Sequence, residues 1–404
     1  MPRFDRRVWL LLAAMLVFRF GQGLYFPFST IYFHNVLGIP LSLVGVGLGV
    51  LAAASVLSGL VSGPLSDRYG RKPVMLLALS GNAAAFFGFA FVGGFWGYLA
   101  VSVAAGLLGA APFDAARNAM VADVTREHVR ARAYGLVRVG ANVGWALGPI
   151  AAGAVAASAG DSALAYQVMF AGAAVSTLAV VGALALLARE SLPGAEKVGA
   201  RDAASGLKVR AALADGPFVL LLGVGLLLYY VFTQDWQALP VYAKNFLGFS
   251  DWQVGLFLAG NGLAVILFQM PIAYLLDGRS RVAALAACSA LFAASSATLL
   301  VFGSFWGVLL AFAGFFTLAE TILEVAGPAL AASLAPVERR GTYLSLFGCC
   351  FGASYGLSPV AAGALLDLRL PEVLWGVQIL AAVLAAAGLW KLSVVSRRRE
   401  GCQG

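Results

Sequence analysis

The chain has 404 residues, of which 61% are hydrophobic and 11% charged, with a mean hydropathy of +0.88. Soluble globular proteins carry about 25% charged residues, so this composition excludes that class and predicts a polytopic membrane protein. The net charge of +8 does not indicate a nucleic-acid partner, because the basic residues lie in short segments between apolar runs. We therefore expect the chain to be surrounded by a lipid bilayer.

Twelve apolar runs are long enough to cross a bilayer as helices, since a spanning helix needs about 20 residues. They predict an all-α membrane protein. In chain order the predicted spans lie near 8–34, 41–63, 73–93, 97–124, 131–157, 163–188, 217–243, 252–276, 282–302, 305–333, 341–366 and 372–393.

The basic residues predict the orientation of these spans. One set of loops holds almost all the lysines and arginines outside the spans, whereas the opposite set holds only Lys244 and Arg369. This asymmetry predicts that the basic loops and both termini are cytoplasmic. The one long connection is polar and charged, and it divides the chain into a bundle at 1–188, a linker at 189–215 and a bundle at 216–404.

The two halves of the sequence resemble each other at a constant offset. A shift of 210 residues places several residues of the first half on identical residues of the second: Asp67 on Asp277, Arg71 on Arg281, Pro149 on Pro359 and Gly153 on Gly363. The same shift places Asp114 on Glu324. This offset predicts two pseudo-symmetric six-helix bundles, a plan that many transporters share.

Between the second and third spans lies a strongly charged segment, residues 63–73, which we interpret as a tight loop. It resembles the signature of the major facilitator superfamily, Gly-x-x-x-Asp-Arg-x-Gly-Arg-Arg/Lys. The matching residues are Gly63, Asp67, Arg68, Gly70, Arg71 and Lys72. The resemblance extends over residues 8–393 and implies the twelve-helix fold of that superfamily.

Further motifs resemble one branch of the superfamily. Antiporters that export drugs and metabolites carry Gly-x-x-x-Gly-Pro-x-x-Gly-Gly in the fifth span, matched here by Gly144, Gly148, Pro149 and Gly153, with Ala152 in place of one glycine. Phe113-Asp114-x-x-Arg117 and the stretch from Phe316 to Glu320 and Glu324 are similar to the MdtH- and LmrP-type multidrug:proton antiporters. The resemblance implies an antiporter rather than a sugar-uptake protein.

In this superfamily spans 1, 4, 7 and 10 line the central cavity, which implies a set of candidate ligands here. Charged residues inside a membrane are costly and usually face a cavity or the bundle interior. The charged candidates are Arg19, Asp114, Arg117, Asp235, Glu320 and Glu324, with Arg138 on span 5 as an exception. Tyr25, Phe113, Tyr229, Tyr230 and Trp236 are the candidates for an apolar drug pocket that suits cations.

The spacing of these charges predicts their chemistry. Glu320 and Glu324 lie four residues apart on one helix face, and two close carboxylates in a low dielectric resist ionising together. We therefore predict that they couple transport to protons. Asp114 and Arg117, three residues apart, form either a structural ion pair or a second part of the coupling machinery. Asp235 either contacts a cation or caps the outer end of its helix.

The charged loop has a separate role implied by the superfamily. There, two aspartates bracket the arginine of the loop and keep the cytoplasmic side closed. Those residues correspond here to Asp67, Arg71 and Asp123.

The leading hypothesis is a proton-coupled exporter of lipophilic cationic compounds that works by alternating access. Two alternatives stay open: a transporter of one anionic metabolite that uses the buried arginines, and a lipid flippase on the same scaffold. The sequence contains no nucleophile–base set, metal cluster or phosphate-binding loop, so we expect no enzyme activity, metal or cofactor. The expected partners are a small-molecule substrate, protons and lipid, for a monomer in a bacterial plasma membrane.

Overall fold

A computed structural model describes residues 4–159, 162–191, 205–336 and 339–401. Within these ranges the chain forms helices joined by short turns, and it contains no strand. The helices are α1 (Arg6–Ile31), α2 (Leu41–Tyr69), α3 (Arg71–Ala90), α4 (Phe95–Leu108), α5 (Ala110–Val124), α6 (Glu127–Ala159), α7 (Ala163–Leu187), α8 (Ser205–Leu213), α9 (Gly216–Asn245), α10 (Asp251–Leu276), α11 (Arg281–Val301), α12 (Phe305–Leu309), α13 (Thr317–Leu334), α14 (Arg340–Asp367) and α15 (Pro371–Gly401).

In the described ranges, twelve helical stretches are long and apolar enough to cross a membrane. Each coincides with one of the twelve predicted spans, and several boundaries agree within one residue. The span expected at 282–302 is Arg281–Val301, and the span expected at 341–366 is Arg340–Asp367. The prediction of a twelve-span, all-α membrane protein is therefore confirmed.

The connection between the second and third spans is shorter than the sequence suggested. The interpretation of residues 63–73 as a loop is wrong, because α2 continues to Tyr69 and α3 begins at Arg71. Gly70 alone joins them, with a φ of 99° that favours glycine. The charged segment is thus the last turns of one helix and the first turn of the next.

Spans 4 and 10 are irregular, which the sequence analysis missed. The fourth span breaks at Gly109, because Pro112 has no N–H to donate to the carbonyl of Leu108. The tenth span widens into a π-helical turn over Leu310–Phe316, where the Thr317 hydroxyl donates to the carbonyl of Phe312 at 2.8 Å. Such wide turns are frequent at functional sites.

The first and seventh spans end in the same way. Gly38 and Gly248, 210 residues apart, both adopt left-handed conformations with φ of 68° and 73°. The backbone hydrogen bonds around them recur at the same offset: Leu37 to Tyr32 and Leu247 to Tyr242, and Ile39 to Phe33 and Phe249 to Ala243. The local geometry therefore repeats where the sequence repeats, as a duplicated bundle requires.

The chain divides into two compact units. Unit 1 comprises residues 1–198 and 240–263, and unit 2 comprises residues 199–239 and 264–404. In unit 1, α1 packs against α6 and α7, α3 against α7, and α2 against α4. In unit 2, α11 packs against α15 and α13. The linker boundaries expected from the sequence stay a prediction.

Candidate functional sites

A charged cluster lies inside unit 1, where α1 contacts α5. Arg19 donates from Nη1 to the side-chain oxygen of Gln22 and from Nη2 to Asp114 Oδ2, the latter at 3.0 Å. Arg117 Nη2 lies 3.1 Å from the other carboxylate oxygen of Asp114. The structure thus contains the expected pair of Asp114 and Arg117, and it supplies the carboxylate that buried Arg19 needs.

The charges of this cluster do not cancel. Two guanidinium groups share the single carboxylate of Asp114, and the Arg117 side chain is only 12% exposed. Among the described residues, Nε of Arg117 has no hydrogen-bond partner. A guanidinium with an unused donor in apolar surroundings favours an anionic partner.

Local helix geometry places these charges. The break at Gly109 ends α4, and α5 begins at the next residue. Asp114 and Arg117 lie about one turn apart on α5. Phe113 points elsewhere: it is fully buried in the core of unit 1, where its ring contacts Phe18 at a centroid distance of 5.1 Å. The structure places this predicted drug-pocket residue in the packed core.

The remaining charged candidates in the spans have different surroundings. Arg138 lies on an exposed face of α6, unlike the two other arginines. Glu320 and Glu324 are half-buried on α13, just after the π-helical turn, and each interacts with neighbouring groups. Their predicted role in proton coupling stays a prediction.

Asp235 is a fully buried acid of the ninth helix. It lies inside α9, ten residues before the helix ends at Asn245, and is 0% exposed. It therefore does not cap or hydrate the helix end, which was one of the two roles considered above. Neither carboxylate oxygen has a well-formed hydrogen bond among the described residues, although Gln378 of α15 is close enough to interact.

The polar groups around Asp235 are also incompletely satisfied. Gln234 beside it is fully buried, and neither of its side-chain polar atoms has a well-formed hydrogen bond in the described part of the chain, although Tyr230 is close enough to interact. Gln378 accepts a hydrogen bond from Ser296 at 2.7 Å, whereas its amide nitrogen, on the side that can interact with Asp235, forms no well-formed hydrogen bond there. Unsatisfied buried polar groups are rare in native proteins, and they often mark sites that bind something.

The predicted aromatic pocket residues pack mainly against other aromatic rings. Tyr25 lies 4.4 Å from the ring of Phe86, and Trp236 meets Phe312 edge-on at 5.4 Å. Tyr229 is buried against Phe347 and Phe351, and Tyr230 is half-buried. Binding by Tyr229 would require its neighbours to move.

A second charged cluster, which we call the motif end, joins the ends of α2, α3, α5 and α7 at Asp67, Arg71, Asp123 and Glu190. Arg71 is 9% exposed and forms ion pairs with Asp67 and, from Nε at 3.2 Å, with Asp123. The three residues that the superfamily signature implied are thus in contact. Ser191, beyond α7, also donates to Asp123 at 2.9 Å.

Glu190 is a member of the motif end that sequence reasoning missed. Its carboxylate oxygens each accept a backbone N–H from the start of α3, from Arg71 and from Lys72, both at 3.0 Å. The Lys72 ammonium donates in return to the carbonyls of Ala185 and Ala188 at the end of α7. The Glu190 carboxylate thus caps the start of α3 and the Lys72 ammonium caps the end of α7, and each charge is opposite in sign to the helix dipole at that end.

The other signature residues have distinct environments. A Cβ atom at Gly70 would lie 2.5 Å from the Glu190 carboxylate, so the capping contact also requires glycine. A Cβ at Gly63 would meet nothing within 4 Å. The Arg68 guanidinium lies over the ring of Tyr69 at 5.3 Å.

The glycines of the fifth-span motif allow α6 to contact two helices closely. A Cβ at Gly148 would lie 2.6 Å from the Cα of Gly23, and one at Gly144 would lie 2.3 Å from the Leu16 carbonyl of α1. Gly153 faces the first turn of α10 instead. Small residues spaced by four permit this backbone approach between membrane helices.

Comparison with known proteins finds similarity over almost the whole length of the chain. A family model described as Major Facilitator Superfamily matches residues 11–260 and 236–401. The chain is 27% identical to multidrug resistance protein MdtH of Yersinia enterocolitica, covering 95% of this chain and 93% of that one. It is also 27% identical to MdtH of Edwardsiella ictaluri, covering 97% and 95%.

A shorter match and two solved structures complete the comparison. An uncharacterized MFS-type transporter of Bacillus subtilis, YqjV, is 28% identical over 142 residues, which is 34% of its length. A mutant of the nucleoside transporter NupG superposes with a TM-score of 0.82 at 13% identity, covering 95% of this chain and 99% of that one. A POT family transporter in complex with 5-aminolevulinic acid gives 0.74 at 16% identity, covering 97% and 96%. At these identities the structures show a common fold and nothing about substrate.

Proposed function

This chain belongs to the Major Facilitator Superfamily, and we propose that it exports lipophilic cationic compounds in exchange for protons. It is a multi-pass membrane transporter, and relatives that align over almost its whole length are named multidrug resistance proteins. The fifth-span glycines and the acids within the spans support the antiporter branch.

The observation that carries proton coupling is the state of Asp235. An ionised carboxylate without a partner is expensive in apolar surroundings, and binding a proton removes that cost. Asp235 is fully buried and lacks a well-formed hydrogen bond in the described part of the chain. We therefore add it to Glu320 and Glu324 as a proton-binding residue. Asp114, held between two arginines, is better suited to transmit a change of charge than to carry the proton.

We also propose how the protein sits in the cell. The motif end includes Arg71 and lies beside Arg68 and Lys72, which belong to the basic set of loops, and this favours a cytoplasmic location for it in a bacterial plasma membrane. In this orientation Asp67, Arg71 and Asp123 form part of the cytoplasmic gate. The protein would act as a monomer, because each compact unit has its own packed helices.

Ethidium efflux from cells that express the protein tests the proposal. We expect a protonophore to abolish efflux, and Asp235→Asn, Glu320→Gln and Glu324→Gln to slow it by about tenfold or more, since each loses a proton-binding group. The matched control is Asp277→Asn, which makes the same chemical change on an exposed turn. Efflux that continues in the presence of the protonophore would contradict the proposal.

One observation favours the alternative of an anionic substrate. The cluster of Arg19, Asp114 and Arg117 has a surplus positive charge and an unused donor. A thermal-shift screen with organic anions and organic cations separates the two hypotheses, because a bound ligand raises the melting temperature. If anions raise the melting temperature and Arg19→Gln removes that effect, the protein transports an anion and the proposed cation export is wrong. If only cations raise the melting temperature, the proposed cation export is supported.

A further inference from the structure

A chain of three buried polar side chains crosses unit 2 and connects three of its helices. It consists of Asp235 on α9, Gln378 on α15 and Ser296 on α11, and none of the three is exposed. The Ser296 hydroxyl donates to Gln378 Oε1 at 2.7 Å. The amide nitrogen at the other end of the same side chain is the group that can interact with the Asp235 carboxylate.

Two members of this chain lie outside the spans that the superfamily resemblance assigned to the cavity, which are 1, 4, 7 and 10. Ser296 is on the ninth span and Gln378 on the twelfth. Asp235 is on the seventh span, and its polar neighbour belongs to the twelfth. The surroundings of this acid are therefore set by the interior of unit 2.

The Gln378 amide is costly at this position unless its N–H groups are used. In the described part of the chain Nε2 forms no well-formed hydrogen bond. A buried amide donor without an acceptor is unfavourable, and methionine would fill a similar volume without that cost. Polar groups inside membrane spans usually serve a function. The acceptor that Gln378 Nε2 can reach is the Asp235 carboxylate.

Ser296 orients the Gln378 amide. A hydroxyl hydrogen needs an acceptor, so the bond from Ser296 keeps Oε1 on the side of α11 and turns Nε2 toward α9. This bond is the shorter of two contacts of the hydroxyl, since the Phe292 carbonyl lies at 3.2 Å. A nitrogen facing the carboxylate suits an acid that gains and loses a proton. It does not suit a hard metal cation, which takes oxygen ligands.

The Asp235 carboxylate interacts with no charged side chain in the described part of the chain. Its surroundings are apolar apart from Gln378. Helices α13 and α14 also pack against α9, at Phe232–Phe316 and Thr233–Ser358. The titratable groups within the spans of these helices are Tyr229, Tyr230, Tyr242 and Lys244 on α9, Cys288 on α11, Glu320 and Glu324 on α13, and Cys349, Cys350 and Tyr355 on α14. None of them contributes to the interactions of Asp235, so its protonation depends on Gln378.

We propose that Gln378 is a positioning residue for proton binding at Asp235, and that Ser296 holds the Gln378 amide in the required orientation. The proposal rests on the proposed transport function, in which Asp235 binds a proton. When the proton leaves, Gln378 Nε2 donates to the carboxylate, because a charged acceptor forms a stronger hydrogen bond than a neutral acid. The ionised acid then has a partner inside unit 2, and the proton can be released.

Infrared spectroscopy of the purified protein over a series of pH values tests the proposal without a transport assay. The signal of Asp235 is the part of the carboxylic acid C=O stretch that is missing in Asp235→Asn. We expect Gln378→Met to move the midpoint of this signal to higher pH by about one to two units, the effect of losing one hydrogen bond to a charged group. The matched control is Gln237→Met, at a buried glutamine whose amide faces the Tyr355 carbonyl, and it should leave the midpoint unchanged.

Ser296→Ala tests the orientation of the amide with a smaller change. The variant keeps the Gln378 donor and loses only the bond that orients it, so the midpoint should move in the same direction by less. An unchanged midpoint in Gln378→Met would overturn the proposal. If Gln378→Met does not fold, an unchanged midpoint in Ser296→Ala overturns it. A purely structural role of Gln378 would lower the melting temperature and leave the midpoint in place.

Ethidium efflux over the same pH range separates this proposal from the function on which it rests. The pH of half-maximal efflux should move in Gln378→Met and stay in place in Gln237→Met. If wild-type efflux persists with a protonophore, the proposed function fails. If efflux depends on protons but Asp235→Asn removes no carboxylic acid signal, the role of Gln378 is overturned and proton-coupled export stands.

Discussion

The two ends of unit 1 are held together in different ways. At the motif end, charged side chains from several helices contact one another, with Arg71 between two aspartates and Glu190 capping α3. Asp67, Arg71 and Asp123 come from the first repeat, and Glu190 follows its last helix. The opposite end of unit 1, which we call the hairpin end, consists of residues 32–39 and residues 240–263. Its charges, Lys244 and Asp251, pair within the second of these segments. The reciprocal Asn35–Asn245 contact and the Tyr166 hydroxyl join that segment to the first repeat.

This difference has an energetic consequence. A hydrogen bond between neutral groups contributes about 0.5–1.5 kcal/mol to stability, and one to a charged group about 1.5–3 kcal/mol. The motif end cannot come apart without separating charges, whereas the asparagine pair can separate at the lower cost. The comparison teaches that ion pairs between helices hold the motif end, whereas the hairpin end combines a neutral asparagine contact with the hydrogen bonds of Tyr166 to an ion pair.

The largest expected effect comes from removing the central charge of the motif end. Arg71→Ala leaves Asp67 and Asp123 without their shared partner. We expect a loss of about 2–3 kcal/mol, less than for a fully buried pair because Asp67 is half exposed. Thermal unfolding in mild detergent measures the effect, with Arg68→Ala as the control. Equal melting temperatures for the two variants would contradict the conclusion that the ion pairs of Arg71 stabilise the motif end.

A smaller effect is expected at the hairpin end from Gly255→Ala. The new Cβ would lie 2.5 Å from the Pro149 carbonyl, and overpacking of this kind costs about 1–3 kcal/mol. The cost should appear as a lower cross-linking yield when a short bifunctional thiol reagent is added to a variant that carries Asn35→Cys and Asn245→Cys, two residues that contact each other. Gly223→Ala, where a Cβ meets nothing within 4 Å, should leave the yield unchanged. A yield unaffected by Gly255→Ala would show that close packing on α6 does not hold the segment.

The smallest effect is expected from Glu190→Gln. The glutamine side chain keeps one acceptor oxygen but loses the negative charge, so one of the two backbone N–H groups at the start of α3 loses its acceptor. We expect the free energy of unfolding to fall by about 1 kcal/mol. The melting temperature should fall slightly, and it should fall more than for Glu372→Gln, which loses only the interaction of a charge with the dipole of an exposed helix start. Cross-linking at the hairpin end should be unaffected, since the two ends are held separately. A reduced yield would show that they are coupled.

Much of the fold could be predicted because each span carries its own signal. The apolar runs located all twelve spans, and the charged segment pointed to the superfamily before any contact was known. The pair of Asp114 and Arg117 followed from a three-residue spacing on one helix. The break at Gly109 was missed, because an apolar run of sufficient length hides a proline near its centre.

The site residues were harder to predict, because their surroundings come from distant parts of the chain. Glu190 caps residues 119 and 118 positions away, at Arg71 and Lys72, and nothing in its own neighbourhood signals that contact. Phe113 and Asp114 are adjacent in sequence, yet one lies in the core and the other meets Arg19. Adjacent helical residues point in different directions, so helix rotation decides which side chain reaches a partner.

The sequence alone therefore determined the membrane spans, the duplication and the family, because partition between water and lipid acts on each segment by its own composition. Only the tertiary structure decided which polar groups are satisfied. Among the described residues it left Asp235 buried in unit 2 without a well-formed hydrogen bond, placed two arginines around Asp114, and paired Asn35 with Asn245, its equivalent 210 residues further on. Those outcomes depend on how neighbouring helices face one another, and no single segment contains that information.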